Sequence, residues 1–473
     1  MRDSNEEPLL EGATATLAAF AADMRFDDLS AAAVARLKTS LLDSIGCCLY
    51  GMTLPWTQQV QAMVEAEQAT PVSALFGTGR ATSAAGAVLV NGTAGHAFEL
   101  DDIHKESILH PGSIALPVAA ALAQARGSAC SGKQFLTALA CGYELGIRVG
   151  NAATMNLFFR GFHPQGTSGV FVATATAGWM LGLDARQMQH ALGIAGSQAG
   201  GLMAAQEGAM VKRLHAGRAA QSGVYAAQLA QRGFTGIGNV LEAAYGGYLS
   251  SYSDQPNADR LTQGLGHEWE IEKVGYKPHA SVTSIHAAMD ALRELMDSHA
   301  LDATDIALVR VGVSHMTYVH CAWPYQAQGV TAAQMNLFFG LAVIALDGVA
   351  FVAQYDEDRL ADPAILAFIQ RIEASADPGI NAMGAAYRHA ARVEITTRDG
   401  KRLHHEILHR RGSPENPLSA YEVEQKFRNV AAGCLAPSAM EQIIQQVESI
   451  ERMESVASLL ELLAAERPAE FVR

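Results

Sequence analysis

Asn91 to Pro117 reads NGTAGHAFELDDIHKESILHPGSIALP. His96, Glu99, Asp101, Asp102, His104 and His110 all fall in this span, between two apolar, Ala-rich segments. Few sequences put so many proton-transfer groups inside an otherwise oily region. Two later stretches share that character: GFHPQGTSG from Gly161 to Gly169, and MVKRLHAGRAAQSG from Met210 to Gly223. We read the three as walls of one pocket.

Outward from this span the chain is helical on both sides. Upstream, apolar residues recur at three and four spacing from Ala13 to Tyr50, and Asp27, Asp28 and Ser30 are placed to cap the helix over 31–50. Gly51 and Pro55 break the pattern. A helix over 60–68, a short extended piece over 73–79 and a helix over 81–98 then lead into the motif. Downstream, helices are expected over 115–126, 132–150, 168–182, 185–199 and 219–232, the succession of a helical bundle. The first dozen residues are expected to be loose.

Near Gly275 the character changes. A helix over 281–298, an alternating strand over 307–316, an apolar helix over 331–352, a shorter one over 363–374 and a hairpin turning at Asp399-Gly400 follow in order. Helices and strands segregate without βαβ alternation, which predicts an α+β unit. After Arg411 the helical pattern returns, over 420–431 and 438–465. The predicted fold is mainly α. A large all-helical domain, discontinuous in sequence, takes residues 1–274 and 412–473, and a smaller α+β lid domain takes 275–411. A length of 473 residues suits two domains.

Composition narrows the function classes. A formal net charge of -14 argues against nucleic acid, whose phosphates need a basic surface. It leaves room for a small anionic substrate, because a pocket can be locally positive on an acidic protein. The 6 cysteines include no CxxC pair, so neither a structural zinc site nor an iron–sulfur run is signalled. The acidic start MRDSNEEPLLEG lacks the basic and apolar regions of a signal peptide, and no apolar run is long enough to span a bilayer. A soluble, cytoplasmic protein with no membrane partner is expected.

Each motif has a structural reading beside the chemical one. Acids next to histidines suit moving a proton on and off carbon, one group as base and another as acid. The same residues also suit a helix cap at Asp101-Asp102 and a turn at His110-Pro111, and this stretch alone leaves both open. Asp-Asp-x-His could also begin a metal site, but no second carboxylate cluster completes it. His163 precedes Gly166-Thr167-Ser168-Gly169 and a helix, whose N-terminus favours an anion. Lys212 and Arg218 lie in a basic turn before another helix and could clamp carboxylates. Lys277 and His279 sit at the expected domain junction, where pockets form. HEILH at His405–His409 matches the zinc-protease HExxH, but it falls in a predicted strand, where residues four apart are about 13 Å apart and cannot share one metal.

Taken together, these stretches resemble the MmgE/PrpD family, which includes 2-methylcitrate dehydratase, cis-aconitate decarboxylase and iminodisuccinate epimerase. The resemblance runs in order along nearly the whole chain: LLDSIGC at Leu41, HAFELDD…LHPGS at His96, GFHPQGTSG at Gly161, KRLHAGRAAQSG at Lys212, YKPHASVTSIHAAMDAL at Tyr276, ALDG at Ala345 and GSPENPLSAYEVEQKF at Gly412. It implies a helical domain with an α+β lid, a homodimer, and chemistry on a small di- or tricarboxylate without a cofactor or metal. Carried over by position, it puts site roles on Glu99, His110, His163 and Lys212, all read as catalytic, and on Lys277, read as substrate-binding. To these we add, from the residues themselves, Asp102 as catalytic and Arg218, His215 and His104 as substrate-binding. A hydro-lyase of the 2-methylcitrate dehydratase type is the first expectation, an epimerase the alternative, and a decarboxylase comes after both. A non-enzymatic carboxylate-binding protein comes last. Departures count against decarboxylation: Ile103 stands where the decarboxylase pattern has Thr, Val282 where it has a lid His, and Phe339 where it has Tyr. Glu99 falls where decarboxylase-like relatives have Asp, and Arg218, where the pattern has Asn, adds a cation to the pocket.

Overall fold

The structure, a computed structural model, describes residues 12–127 and 129–468. The expected loose start lies outside the described residues, apart from Gly12. The chain is mainly helical. Ser30 caps the Ala31–Gly51 helix, its hydroxyl accepting from the Ala33 amide at 2.9 Å. Pro55 opens the next helix, Pro55–Ala66, where a missing N–H costs nothing. Short strands Ser73–Leu75 and Arg80–Thr82 pair before the Ala84–Gly95 helix.

Two hydrophobic cores organise these elements. One gathers buried residues from Leu17 to Tyr276 and again from Leu418 to Leu463. The other gathers Ala280 to Ile395, joined by Phe98 and Leu100 from the motif stretch. Through the first core runs the Val211–Gln231 helix, packed on Ala84–Gly95 and Gly169–Leu181. That packing is unusually close. A Cβ on Gly217 would lie 2.1 Å from the Leu89 carbonyl oxygen, so only glycine fits there.

The second core is a four-stranded sheet covered by the His286–His299 helix, on which the Leu337–Asp347 helix packs in turn. Ile306–Val313 lies between Ile372–Ala376, which is parallel to it, and Ala391–Thr397, which is antiparallel. Arg402–Ile407 pairs antiparallel at the edge, so His405 lies in a strand, and its Nε2 is 2.8 Å from Glu294.

Four expected elements are corrected. The helix expected over 219–232 starts at Val211, so the basic residues Lys212 to Arg218 form its first turns rather than a turn before it. The expected 331–352 helix is two, Val330–Met335 and Leu337–Asp347. Asn336 breaks it, accepting from the Phe339 amide at 3.0 Å and donating to the Trp323 carbonyl at 2.8 Å. The expected 363–374 helix stops at Ile369, and its end is the parallel strand Ile372–Ala376. The expected 438–465 helix divides into Pro437–Glu448 and Ala457–Ala464.

The chain crosses from the first core to the second near Gly275 and returns near Gly412. The two crossings touch, the Tyr276 amide donating to the Gly412 carbonyl at 2.9 Å. On the other side of the outgoing crossing, Ile103–His104 of the motif pairs with Val274–Gly275. The motif stretch is thereby tied to the joint between the cores. Among the described residues no helix is long and apolar enough to cross a membrane.

Candidate active site

The Ala84–Gly95 helix ends just before Glu99, and the backbone there turns sharply. Glu99 has φ 55°, a conformation that costs a non-glycine residue on the order of 1–3 kcal/mol. The turn aims its carboxylate inward, where Arg213 Nη1 donates at 2.7 Å, Lys277 Nζ at 3.0 Å, and Lys212 Nζ as well. Burial alone would push the Glu99 carboxyl up, but the three cations overcome it and hold it well below the usual range. Burial works the other way on Lys212, whose ammonium falls to about 8 despite the pull of Glu99. Arg213 is braced from behind by Gln334 Oε1 at 2.9 Å, and Gln334 Nε2 donates to the carbonyls of Phe98 at 2.9 Å and Ala280 at 3.0 Å. One glutamine thus links the motif stretch, the junction and the cation cluster.

His110 is fixed through its backbone. Gln165 accepts from the His110 amide at 2.9 Å and donates to its carbonyl at 2.9 Å. The His110 ring has Nδ1 3.3 Å from one oxygen of Asp101, and the other Asp101 oxygen is 2.7 Å from His96 Nδ1. A single carboxylate lies between two imidazoles. Burial would raise the Asp101 carboxyl, yet His110 and His96 bring it well below its ordinary range. His163 caps the one-turn Pro164–Thr167 helix, its carbonyl held by the Thr167 hydroxyl at 3.1 Å. Its Nδ1 is 2.7 Å from His215 Nδ1. Burial, with the Lys212 charge behind it, drives His163 well below the usual imidazole range, and brings His215 to about 4. Both rings are neutral at pH 7, so one donates to the other and their tautomers are coupled.

These groups face one cavity between the two cores. Glu99, His110, His163, Lys212 and Lys277 line it together, with Arg388, His389 and Val282 from the second core. Ile103, Ile108, Phe158 and three methionines, Met203, Met316 and Met335, make the rest of its wall largely apolar.

The structure places four expected site residues elsewhere. Asp102 does not line the cavity. It accepts from Tyr143 Oη at 2.7 Å and from the Gly112 amide at 3.0 Å, and burial raises its carboxyl well above the usual range. The carboxylate beside His110 is its neighbour, Asp101. His104 is held by Ser107 at 2.9 Å and lies 3.2 Å from Glu270, away from the cavity. Arg218 is exposed and donates to Gln221, one helical turn on, because it lies on the outer face of the Val211–Gln231 helix. His215 stands behind His163 and does not line the cavity. Reading the sequence passed over Arg213, Gln165, Gln334, Arg388 and His389. Arg213 adjoins Lys212 in the same motif, and Gln165 follows His163 by two, so proximity was their available signal.

His96, Asp101 and His110 are the described residues that could hold a metal ion, with ligand atoms within 4.8 Å of one another. The 2.7 Å His96–Asp101 hydrogen bond already uses two of the atoms such an ion would need.

Fold and site define a class: a mainly helical protein whose buried histidines, lysines and carboxylates line one cavity beside an α+β unit. Residues 15–260 match the family model of the MmgE/PrpD N-terminal domain, and residues 279–452 that of the MmgE/PrpD C-terminal domain. The chain belongs to the MmgE/PrpD family. It is 31% identical over 472 residues to a cis-aconitate decarboxylase-like protein of Aspergillus oryzae, covering 96% of this chain and 97% of that one. The cis-aconitate decarboxylase of Aspergillus terreus is 30% identical over 483 residues, covering 98% and 97%. That of Homo sapiens is 29% identical over 397 residues, covering 81% and 80%.

Proposed function

We propose that this enzyme is a lyase that forms and discharges negative charge on a carbon next to a carboxylate of a small di- or tricarboxylate. The observation that carries the proposal is the pairing of a neutral, buried His163 with a cluster of three cations around one glutamate. His163 is the base. For its Nε2 to accept a proton, Nδ1 must carry hydrogen and donate to His215. Lys212 and Lys277 hold the carboxylate and stabilise the charge that moves onto it as the adjacent carbon becomes electron-rich. The Lys212 ammonium or the His110 ring, oriented by Asp101, returns a proton.

That carbanion serves two exits. Loss of CO2 creates it without removal of a proton, the electron pair of the broken carbon–carbon bond staying on carbon, and a proton from Lys212 or His110 then quenches it; the names of the relatives favour it. Loss of water breaks a carbon–oxygen bond β to the carbanion and needs a proton on the departing hydroxyl. Apolar Ile103 and Val282 in the wall, where decarboxylase-like sequences carry polar groups, favour this second reading.

Proton NMR of the enzyme in D2O with cis-aconitate, citrate and 2-methylcitrate separates them. Loss of substrate with bicarbonate release gives the first exit. Loss or gain of a vinyl signal at constant carbon number gives the second. Exchange of an α-proton with stereoisomer formation and no alkene would replace both with an epimerase. Within the same reading the enzyme is a homodimer, since Leu202, Met210 and Val211 expose apolar side chains. A monomer at micromolar concentration in sedimentation would remove that part.

A further inference from the structure

The Glu99 cluster is one charged group on the cavity wall; Arg388 and Lys105 form another. We propose that Arg388 and His389 form a second anion subsite, which takes a carboxylate of the substrate remote from the reacting carbon. The inference rests on the carboxylate reading above and deepens it: the substrate must be at least a dicarboxylate, held at both ends.

Unspent hydrogen-bonding capacity is the first argument. Arg388 is 6% exposed and lines the cavity. Its Nη1 donates to the Ala385 carbonyl at 3.3 Å and its Nη2 to the Lys105 carbonyl, but its Nε is buried without a partner. His389, beside it on the cavity wall, has a buried Nδ1 that is likewise unpartnered. A buried donor left unsatisfied is costly, more so on a charged group. A bound carboxylate would recover that cost.

Charge is the second. Lys105 lies 3.0 Å from Glu415 and Arg388 3.6 Å from Glu106, while the fully buried Arg410 is within salt-bridge distance of no carboxylate among the described residues. Arg410 adds to the deficit of acceptors, since its Nε and Nη2 are also unpartnered. Burial and these cations keep His389 neutral, so it contributes a donor without a charge of its own. The bonds of Arg388 run to Ala385, Lys105 and Glu106, not to the Glu99 cluster, so the two groups are held independently.

Arg388 also braces the Lys105 carbonyl, so a purely structural role must be told apart from binding. The test measures binding of succinate and glutarate, and of the matched monocarboxylates butyrate and valerate, to the full-length protein by calorimetry. Wild type should bind the dicarboxylates at least about tenfold more tightly, the scale of one charge-assisted contact. Arg388→Gln should abolish that preference, weakening dicarboxylates about tenfold and leaving monocarboxylates unchanged. Arg388→Lys should keep part of it. Lys212→Gln should weaken both classes. Equal weakening of both classes by Arg388→Gln, or no weakening, overturns the subsite and leaves the carboxylate reading standing. Wild type that binds neither class overturns both.

Discussion

His215 touches His163 ring to ring, and that contact gives it a role the cavity wall does not. As His163 takes up a proton, its Nδ1–H needs an acceptor, and His215 Nδ1 at 2.7 Å is that acceptor. His215→Phe should lower kcat about tenfold or more, with KM little changed, whereas His215→Gln, which keeps an acceptor, should retain most of the rate. Equal losses in both variants would assign His215 to packing alone. His163→Ala should cost at least about a hundredfold in turnover, the scale of a general acid–base group; near-normal turnover would remove it from the mechanism. Lys212 sets the alkaline side. Its ammonium loses its proton as pH rises through about 8, so activity should fall there. Lys212→Arg keeps its charge and should flatten that limb at a lower rate, which a pH–rate profile from 6 to 10 reads directly.

At the scale of elements, the close crossing of Val211–Gln231 over Ala84–Gly95 positions Lys212 and Arg213 opposite Glu99. Gly217→Ala would drive a methyl group into the Leu89 carbonyl and should destabilise the protein by about 3 kcal/mol, the scale of overpacking a core. Chemical denaturation measures it, and an unchanged midpoint would mean the helices can part. That same crossing explains a misreading. Gly217 and the run of basic residues look like a turn in sequence, but the glycine is there for helix contact. Asn336 hid in the opposite way: it reads as one polar residue in an apolar helix, and only the Trp323 carbonyl across the chain makes it a break. The mainly helical character was legible because apolar periodicity is local. The clustering of Glu99, His110, His163 and Lys212 was suggested by their density. Which of Asp101 and Asp102 faces His110 was not legible, since it depends on the positive φ at Glu99 just before them. Nor were Arg388 and His389, which arrive from a distant part of the chain with no motif around them.

The whole molecule holds its motif stretch from several sides. Lys426, on the returning Ala420–Ala431 helix, lies 2.7 Å from Asp43 and donates to the Leu100 carbonyl. Burial raises the Asp43 carboxyl and Lys426 opposes it. Lys426→Met strands that group and should cost about 3 kcal/mol, the scale of breaking a buried pair, besides loosening Leu100; a melting temperature equal to wild type would contradict this. Stability should also depend on pH. His96, His104, His163, His215, His286, His320 and His389 are all held below the ordinary imidazole range, chiefly by burial. The unfolded chain takes up protons below about pH 6.5 that the folded one refuses, so stability falls as pH drops from there. Asp43, Asp102 and Glu144, raised by burial, gain with acid and offset part of the loss. The histidines outnumber them, and calorimetry should find a lower Tm at pH 5.5 than at pH 7.5; a higher one would reverse the balance.

The touching crossings at Tyr276 and Gly412 have an evolutionary side. Because the outgoing and returning strands are neighbours, the whole α+β unit hangs from the helical core as a loop would, with its two ends in one place. Such a unit can drift, lengthen or be exchanged without rerouting the chain that carries His110, His163 and Lys212. Arg388, His389 and Val282 belong to that unit. A lineage could therefore retune what this pocket accepts while inheriting the proton chemistry unchanged.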